Sequence, residues 1–212
     1  MPASLRLTER DVVVLQALSL KVRLFGLRQI ADAIWFGHVA NARRRLRRLV
    51  TAGLVYRQIT PAQPLPELTG PVFEWQPGDR EPNAGQISFL LKNRWKYQAL
   101  RQTVVYLAAE NTVEHFGGRS HHHQISTQVT HDLGVAAVWL WFHLYAPHLA
   151  AAWRGEDLIA PERRGETLPD AVLIGRDQQP AMMIEFGGSY GPKRIEEFHD
   201  DAAMRGLPYQ IW

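Results

Sequence analysis

The segment at residues 39–52 constrains this chain most, because it joins an apolar helical stripe to five arginines within six consecutive positions. At about 100° per residue, Val39, Ala42 and Leu49 fall on the same side of a helix as Leu46. Outside this stripe the helix carries five arginines and one asparagine: Asn41, Arg43, Arg44, Arg45, Arg47 and Arg48. A solvated helix face usually mixes charge signs, and this face has no acidic residue. We therefore predict a helix that packs on one side and offers guanidinium groups to a polyanion on the other.

The elements predicted around this helix have the order of a winged helix-turn-helix. Helical periodicity predicts two helices before it, and alternating residues predict strands after it. These elements are helices at residues 9–20 and 27–36, a strand at 54–60, a loop at 61–70 and a return strand at 71–76. In that arrangement the third helix lies in the DNA major groove, where arginine binds guanine edges and phosphates. Arg28 on the second helix and Arg57 on the first strand join the predicted DNA-binding residues.

Residues 87–101 allow two interpretations. Basic and aromatic side chains are interleaved there, which is typical of a second DNA contact, but the pattern also fits a wing strand with a supporting helix, which we favour. Residues 102–108 are apolar and β-branched and predict a further strand of the wing sheet. A short helix at 109–116 then ends the first domain, which we place at residues 1–118.

Charge is distributed unevenly along the 212 residues, whose net charge is +3. Residues 1–60 hold 11 Lys and Arg against 3 Asp and Glu, and the rest of the chain holds 13 against 18. A first segment at +8 favours a polyanionic partner, and a remainder at −5 does not. The absence of cysteine excludes disulfides and thiolate metal sites, and no apolar run is long enough to span a membrane. We expect a cytoplasmic protein, associated with the nucleoid or a plasmid, that has no membrane partner.

The second half predicts an α/β unit, so the fold class of the whole chain is α+β. Its elements are a long apolar helix at residues 126–146, strands at 156–160, 169–174 and 180–186, a helix at 191–204 and a last strand at 208–212. This unit is the second predicted domain, at residues 119–212.

Two short motifs in the second half resemble the PD-(D/E)XK nuclease superfamily. They are Leu168-Pro169-Asp170 and, fourteen residues later, Glu185-Phe186-Gly187. In that fold an aspartate begins one strand and Glu-x-Lys lies on the next. The resemblance implies that Asp170 and Glu185 would share Mg²⁺ or Mn²⁺ and that a lysine would assist. Glycine stands at the lysine position, which leaves Lys193, near the start of the next helix, as the candidate replacement.

Over most of its length the chain resembles the plasmid replication-relaxation family of bacterial mobile elements, which pairs a winged helix with a degenerate nuclease-like domain. The resemblance is carried by residues 7–11 with 27–31, by 44–49 with 53–55, and by 131–133 with 169–170 and 185. It implies double-stranded DNA binding in the control of transcription, replication or transfer. Because the lysine position is Gly187, we expect the nuclease-like domain to be inactive and to serve assembly without a cofactor, with Mg²⁺ or Mn²⁺ required only by an active nuclease. Winged-helix regulators usually bind paired half-sites as dimers, so we expect a homodimer, with a replication, transfer or regulatory protein as a further partner.

Three other features favour structural interpretations. The triplet His121, His122 and His123 predicts a polar loop or interface more than a metal site, because adjacent histidines point in different directions. His131 on the apolar helix predicts a structural histidine more than a catalytic base. The glycine-rich run at 187–191 predicts a strand-to-helix loop over the nuclease-like site, since it lacks the Walker spacing.

Three functional hypotheses remain open at this stage. The first is a sequence-specific DNA-binding regulator whose second domain serves dimerisation or partner contact. The second is a metal-dependent endonuclease that uses Asp170 and Glu185, with the winged helix as its targeting domain. The third is a winged helix that contacts protein and not DNA, for which association would not depend on salt.

Overall fold

The computed structural model describes residues 5–95, 99–119, 128–160 and 168–212, and these form a mixed α+β fold, as predicted. The helices are α1 (Glu9–Leu20), α2 (Leu27–Ile34), α3 (Val39–Thr51), α4 (Ala84–Arg94), α5 (Glu110–His115), α6 (Val129–Tyr145), α7 (Pro147–Ala152), α8 (Glu156–Ile159) and α9 (Pro192–Met204). The strands are β1 (Phe25–Gly26), β2 (Val55–Ala62), β3 (Phe73–Trp75), β4 (Arg101–Ala108), β5 (Trp153–Gly155), β6 (Ala171–Ile174), β7 (Pro180–Glu185) and β8 (Tyr209–Ile211). Among these helices, none has both the length and the apolar character needed to cross a membrane.

The first three helices form where the sequence predicts them, beside a small antiparallel sheet of order β1-β4-β2. Thr8 caps α1: its hydroxyl accepts a hydrogen bond from the Asp11 backbone N–H, and the Asp11 carboxylate accepts one from the Thr8 N–H. Gly53 follows α3 with a φ of +70°, a conformation that favours glycine. The apolar stripe of α3, with Leu46 at its centre, is buried, and four of the five arginines of the helix are exposed.

A strand forms within residues 71–76, as predicted, but it is not the return strand of the wing. All eight residues of β2 pair with β4, which confirms the strand predicted at 102–108. β3 instead pairs with β8 in a second sheet. Its aromatic side chains explain this, because Trp75 stacks on Tyr209 with ring centroids 5.6 Å apart inside a separate apolar cluster. Local sequence predicts that these residues are extended, but the partner strand is set by this distant contact.

The chain between β2 and β4 therefore builds part of the second sheet. β3 is an edge strand of that sheet, and α4 packs against α9. Neither interpretation of residues 87–101 included this helix contact. The predicted boundary at residue 118 separates the two sheets only in part, because β3 and α4 precede it in the chain.

The second sheet has the order β3-β8-β7-β6-β5, in which β8 is parallel to β7 and the other pairs are antiparallel. The predictions for β6, β7, α9 and β8 are confirmed to within a few residues. The strand predicted at 156–160 is wrong, because α8 occupies it and the strand β5 ends at Gly155. Glu156 and Asp157 lie in the first turn of α8, where acidic side chains favour a helix.

Helix α6 lies between the two sheets, as its apolar sequence predicts. On one side the Gln29 amide of α2 donates a hydrogen bond of 2.7 Å to a backbone carbonyl of α6. On the other side Gly134 meets Phe186, and a Cβ atom at this glycine would overlap the phenyl ring. A single apolar cluster runs from α1 through α6 to Trp212. The two sheets therefore share one core.

Replacing Gly134 with alanine should lower the free energy of unfolding by about 1–3 kcal/mol, because the added methyl group forces α6 away from Phe186. Gly85→Ala in α4 is the matched control, since its Cβ would meet only the Asn83 side-chain oxygen, at 3.5 Å. Alanine there should be neutral or stabilise the chain by up to about 1 kcal/mol. Denaturant titration followed by circular dichroism measures both variants. Equal loss of stability in the two would contradict the close packing of α6.

Candidate functional site

The outer side of α3 carries four exposed arginines: Arg43, Arg44, Arg47 and Arg48. Arg44 donates a hydrogen bond of 3.1 Å to the side-chain oxygen of Asn41, which holds that amide on the same face. No carboxylate in the described part of the chain forms an ion pair with any of the four. We call this surface the arginine face. Its charges lie side by side and uncompensated, which favours a phosphate-bearing ligand.

Arg57 extends the arginine face from β2. It lies opposite Tyr106 in the pairing of β2 with β4. Burial raises the pKa of Tyr106, and the charges of Arg57, Arg43 and Arg47 act in the opposite direction. The strand arginine and two arginines of α3 are therefore all near enough to Tyr106 to affect its charge, which places Arg57 beside the arginine face.

Two of the predicted DNA-binding arginines are engaged within the chain. The Arg45 Nε atom donates to Asp11 Oδ1 at 2.8 Å, and its NH2 group donates to the Arg6 carbonyl at 2.7 Å. Asp11 is fully buried, so this contact joins α3 to α1 and supplies the counter-charge of a buried carboxylate. The structure thus corrects the assignment of Arg45, which has a structural position. Arg28 is exposed but pairs with Asp32 at 3.2 Å.

A second site surrounds Asp170 and Glu185, which lie side by side. The antiparallel register places Ala171 opposite Ile184, so the residue before β6 meets the last residue of β7. The Asp170 N–H donates to Glu185 Oε2 at 3.1 Å, and the Phe186 N–H donates to Asp170 Oδ2 at 2.7 Å. The two residues are 9% and 1% exposed. We call them the carboxylate pair.

Three side chains from other elements bind the carboxylate pair. His131, in the first turn of α6, places Nε2 2.7 Å from Asp170 Oδ1. The Tyr190 hydroxyl donates to Glu185 Oε1 at 2.7 Å. Arg194, in the first turn of α9, lies 3.7 Å from the same oxygen. The pair is therefore held by side chains of α6 and α9 as well as by the backbone.

Protonation of this site follows from burial and charge together. Burial, and after it the Asp170 carboxylate, raises the pKa of Glu185 and favours its neutral form. Burial opposes a charge on His131, but the charge of Asp170 and its hydrogen bond outweigh this and raise the pKa of His131 to about 9. Burial also raises the pKa of Tyr190, with Glu185 adding to the effect. Near neutral pH an imidazolium therefore faces the carboxylate pair.

These groups line an open cavity of about 900 Å³ whose walls come from both parts of the fold. Arg23, between α1 and β1, also lines this cavity, together with Glu156 of α8. Arg23 donates to Asp157 at 2.7 Å and lies 3.0 Å from Glu156. The loop after β7 covers another side, and the Trp95 indole N–H donates to its Gly188 carbonyl at 2.7 Å. The segment inserted between β2 and β4 thus supports the loop predicted at this site.

The absence of a lysine at position 187, where the nuclease motif has one, has a packing explanation. A Cβ atom at Gly187 would lie 2.6 Å from Leu91 Cδ1 and 2.9 Å from Ile211 Cγ2, so a side chain there would enter an apolar cluster. Lys193 does not replace it: its side chain is 89% exposed and pairs with Glu197 at 3.8 Å, away from the cavity. This corrects the assignment of Lys193, because the cation of α9 that reaches the carboxylates is the next residue.

The carboxylate pair does not fit the Mg²⁺ or Mn²⁺ that the nuclease resemblance implies. These ions need several oxygen ligands that are free to coordinate. Every carboxylate oxygen of Asp170 and Glu185 is already engaged in a hydrogen bond within the chain, and the two oxygens that face the cavity contact the His131 ring and the Tyr190 hydroxyl. The described residues include no group of three or more His, Asp or Glu side chains that could hold a metal ion. The triplet at 121–123 lies outside the described residues.

Sequence reasoning found the carboxylate pair but only part of its surroundings. It predicted a structural histidine at His131, which is consistent with the contact to Asp170, but it did not consider Tyr190, Arg194 or Arg23. The glycine-rich loop after Glu185 could have indicated Tyr190 and Arg194. A tight loop at the end of a strand that carries a site residue keeps the residues that follow it close to that site. No comparable signal marked Arg23, which is more than a hundred residues away in the chain.

No protein-family model matches the chain, and no curated protein or solved structure matches it significantly. The arginine face and the carboxylate pair are therefore the observations that bear on function.

Replacing Arg45 with alanine should lower the free energy of unfolding at pH 7 by about 3 kcal/mol, because it leaves Asp11 buried without its counter-charge. Arg48→Ala, on the arginine face, is the matched control and should change stability by less than about 0.5 kcal/mol. Denaturant titrations of both variants measure the difference.

The same titrations at lower pH test the cause. Burial alone would raise the pKa of Asp11, but hydrogen bonds from Arg45 and Thr8 lower it below its usual 3.8. The stabilisation is therefore present above that value and is lost as the pH falls through the lower folded-state pKa. The gap between wild type and Arg45→Ala should narrow in acid. A gap that stays constant to pH 2 would contradict the ion pair.

Proposed function

We propose that the chain binds double-stranded DNA through the arginine face of α3. The observation that carries this proposal is the row of exposed arginines that have no carboxylate partner in the described part of the chain. Guanidinium groups bind phosphates and guanine edges in bidentate geometry, and a helix of this width fits the major groove. Arg57 on β2 adds a further cation at the edge of the same surface.

The elements around α3 support a winged-helix arrangement. Three helices and a β1-β4-β2 sheet surround one core, with α2 packed against α3 as the two helices of a helix-turn-helix. The proposed wing differs in one respect, because β2 and β4 are joined through the second sheet and not by a free loop. DNA contact by the wing would therefore come from its strands, where Arg57 and Arg101 lie.

We assign the second part of the chain a role in holding or assembling the DNA-binding part. Its order α6-β5-β6-β7-α9-β8, with the carboxylate pair between β6 and β7, is consistent with a nuclease-like fold. The occupied carboxylate oxygens and the packing at Gly187 do not favour catalysis. We propose, from the resemblance, a regulator of transcription, replication or transfer on a plasmid or mobile element. It would act as a homodimer on paired half-sites.

DNA binding should depend on Arg44 and Arg47. Selection from a random-sequence duplex library identifies a bound sequence, and fluorescence anisotropy on that duplex then gives affinity at several salt concentrations. The double substitution Arg44→Ala with Arg47→Ala should weaken binding at least about tenfold and reduce the slope of log affinity against log salt by about 2. Arg176→Ala with Lys193→Ala removes the same charge from exposed positions of the second part and should leave both quantities unchanged.

Two outcomes would contradict the proposal. If the arginine variant folds and keeps wild-type affinity, α3 is not the recognition helix. If the wild-type chain has no affinity for duplex DNA even at low salt and instead binds a protein without salt dependence, the winged helix serves protein contact.

The endonuclease hypothesis predicts a different result. We expect supercoiled and linear duplexes to remain intact with either Mg²⁺ or Mn²⁺, and wild type and Asp170→Ala to be indistinguishable on agarose gels. Metal-dependent cleavage that disappears in Asp170→Ala would establish a nuclease and would overturn our reading of the carboxylate pair.

A further inference from the structure

The imidazole of His131 lies at the point where the carboxylate pair opens toward the cavity. Its Nε2 atom is 2.7 Å from Asp170 Oδ1, and its ring packs edge-on against Phe186 with centroids 5.7 Å apart. The ring is thus fixed both by a charged hydrogen bond and by an aromatic contact. It belongs to α6, whereas the pair lies at the start of β6 and the end of β7, so its position depends on how the helix packs on the sheet.

The groups that form hydrogen bonds with the carboxylate pair fall into two sets. The backbone N–H groups of Asp170 and Phe186 occupy one oxygen of each carboxylate. The other two oxygens receive side chains that line the cavity, His131 on the first carboxylate and Tyr190 on Glu185. A cation that entered from the cavity would meet these two side chains at the oxygens it needs.

Repulsion between the two buried acids bears on the role of His131. Two desolvated carboxylates that exchange backbone hydrogen bonds repel each other unless a positive charge or a proton is present. His131 places a ring nitrogen 2.7 Å from Asp170 Oδ1, and the Arg194 guanidinium stands farther off, at 3.7 Å from Glu185. The ring therefore occupies the Asp170 oxygen that a cation entering from the cavity would need.

We propose that His131 takes, inside the fold, the position beside the carboxylate pair that a divalent cation would otherwise take. The pair is then a closed structural site in which a side chain of α6 replaces the metal. His131 is a positioning residue here: it keeps two buried acids together and ties α6 to the end of the second sheet. This inference concerns the second part of the chain and does not depend on DNA binding.

Removing His131 should open the pair to a metal ion. The probe is Mn²⁺, followed by the loss of its free electron paramagnetic resonance signal when it is titrated with the full chain near pH 7.5. Wild type should leave the signal unchanged. His131→Ala should bind one Mn²⁺ per chain, roughly tenfold or more tighter than wild type, because Asp170 Oδ1 loses the ring that occupies it and becomes free to coordinate the ion. Bound Mn²⁺ should also raise the melting temperature of that variant.

Controls separate this effect from a general loosening of the fold. His143→Ala changes another histidine of α6, stacked on Trp139 away from the pair, and should behave as wild type. His131→Ala combined with Asp170→Asn should lose the Mn²⁺ binding that the single variant gains. If His131→Ala does not fold, His131→Leu keeps an apolar side chain against Phe186 and likewise leaves Asp170 Oδ1 without the ring.

Either of two results would overturn the inference. Mn²⁺ binding by wild type that is lost in Asp170→Asn would show that the pair takes a metal despite His131. A folded His131 variant that does not bind Mn²⁺ would show that the histidine does not stand in the place of a cation.

Discussion

Helix α6 is buried between the two sheets, and the positions of both candidate sites depend on that burial. Its N-terminal turn carries His131 to the carboxylate pair, and the next turn presents Gly134 to Phe186 with no room for a side chain. Its other side receives the hydrogen bond from Gln29 of α2, the helix that packs against α3. A small shift of α6 would therefore change both the contact with the acids and the support of the arginine face.

The carboxylate pair shows how this fold accommodates charge in a dry environment. An unpaired carboxylate in the interior is strongly unfavourable, and two adjacent ones are more so. The structure reduces this cost by sharing backbone donors, by raising the pKa of Glu185 and by placing the imidazole of His131 next to Asp170. The Asp11–Arg45 contact solves the same problem in the first part of the chain with a guanidinium. In both cases a cation from a neighbouring helix neutralises the acid, so the charge also fixes how the helices pack.

Local periodicity was sufficient to predict most helices and strands, because amphipathic spacing and glycine stops act within a few residues. It could not assign β3 to its sheet, since the stacking of Trp75 on Tyr209 joins positions more than a hundred residues apart. The same limit applies to the sites. The charge run predicts the arginine face, but only the fold shows that Arg45 points to Asp11 and that a side chain at residue 187 would enter the apolar cluster. Strand partners and side-chain directions depend on tertiary contacts, so they cannot be predicted from neighbouring residues in a single sequence.

The unequal charges of the two parts favour one orientation of the chain on DNA in the proposed complex. The first sixty residues carry +8 and the rest −5, so a duplex is attracted to the arginine face and repelled by the acidic part. The carboxylate pair and Glu156, which pairs with Arg23, line the cavity on the repelling side. At physiological salt the electrostatic field of the chain falls off within about 8 Å. This distance is comparable to the depth of a DNA groove. The field therefore acts on a docked duplex more than on an approaching one. Because one core joins the two parts, the acidic part would fix the orientation of α3 on DNA while remaining clear of the backbone itself.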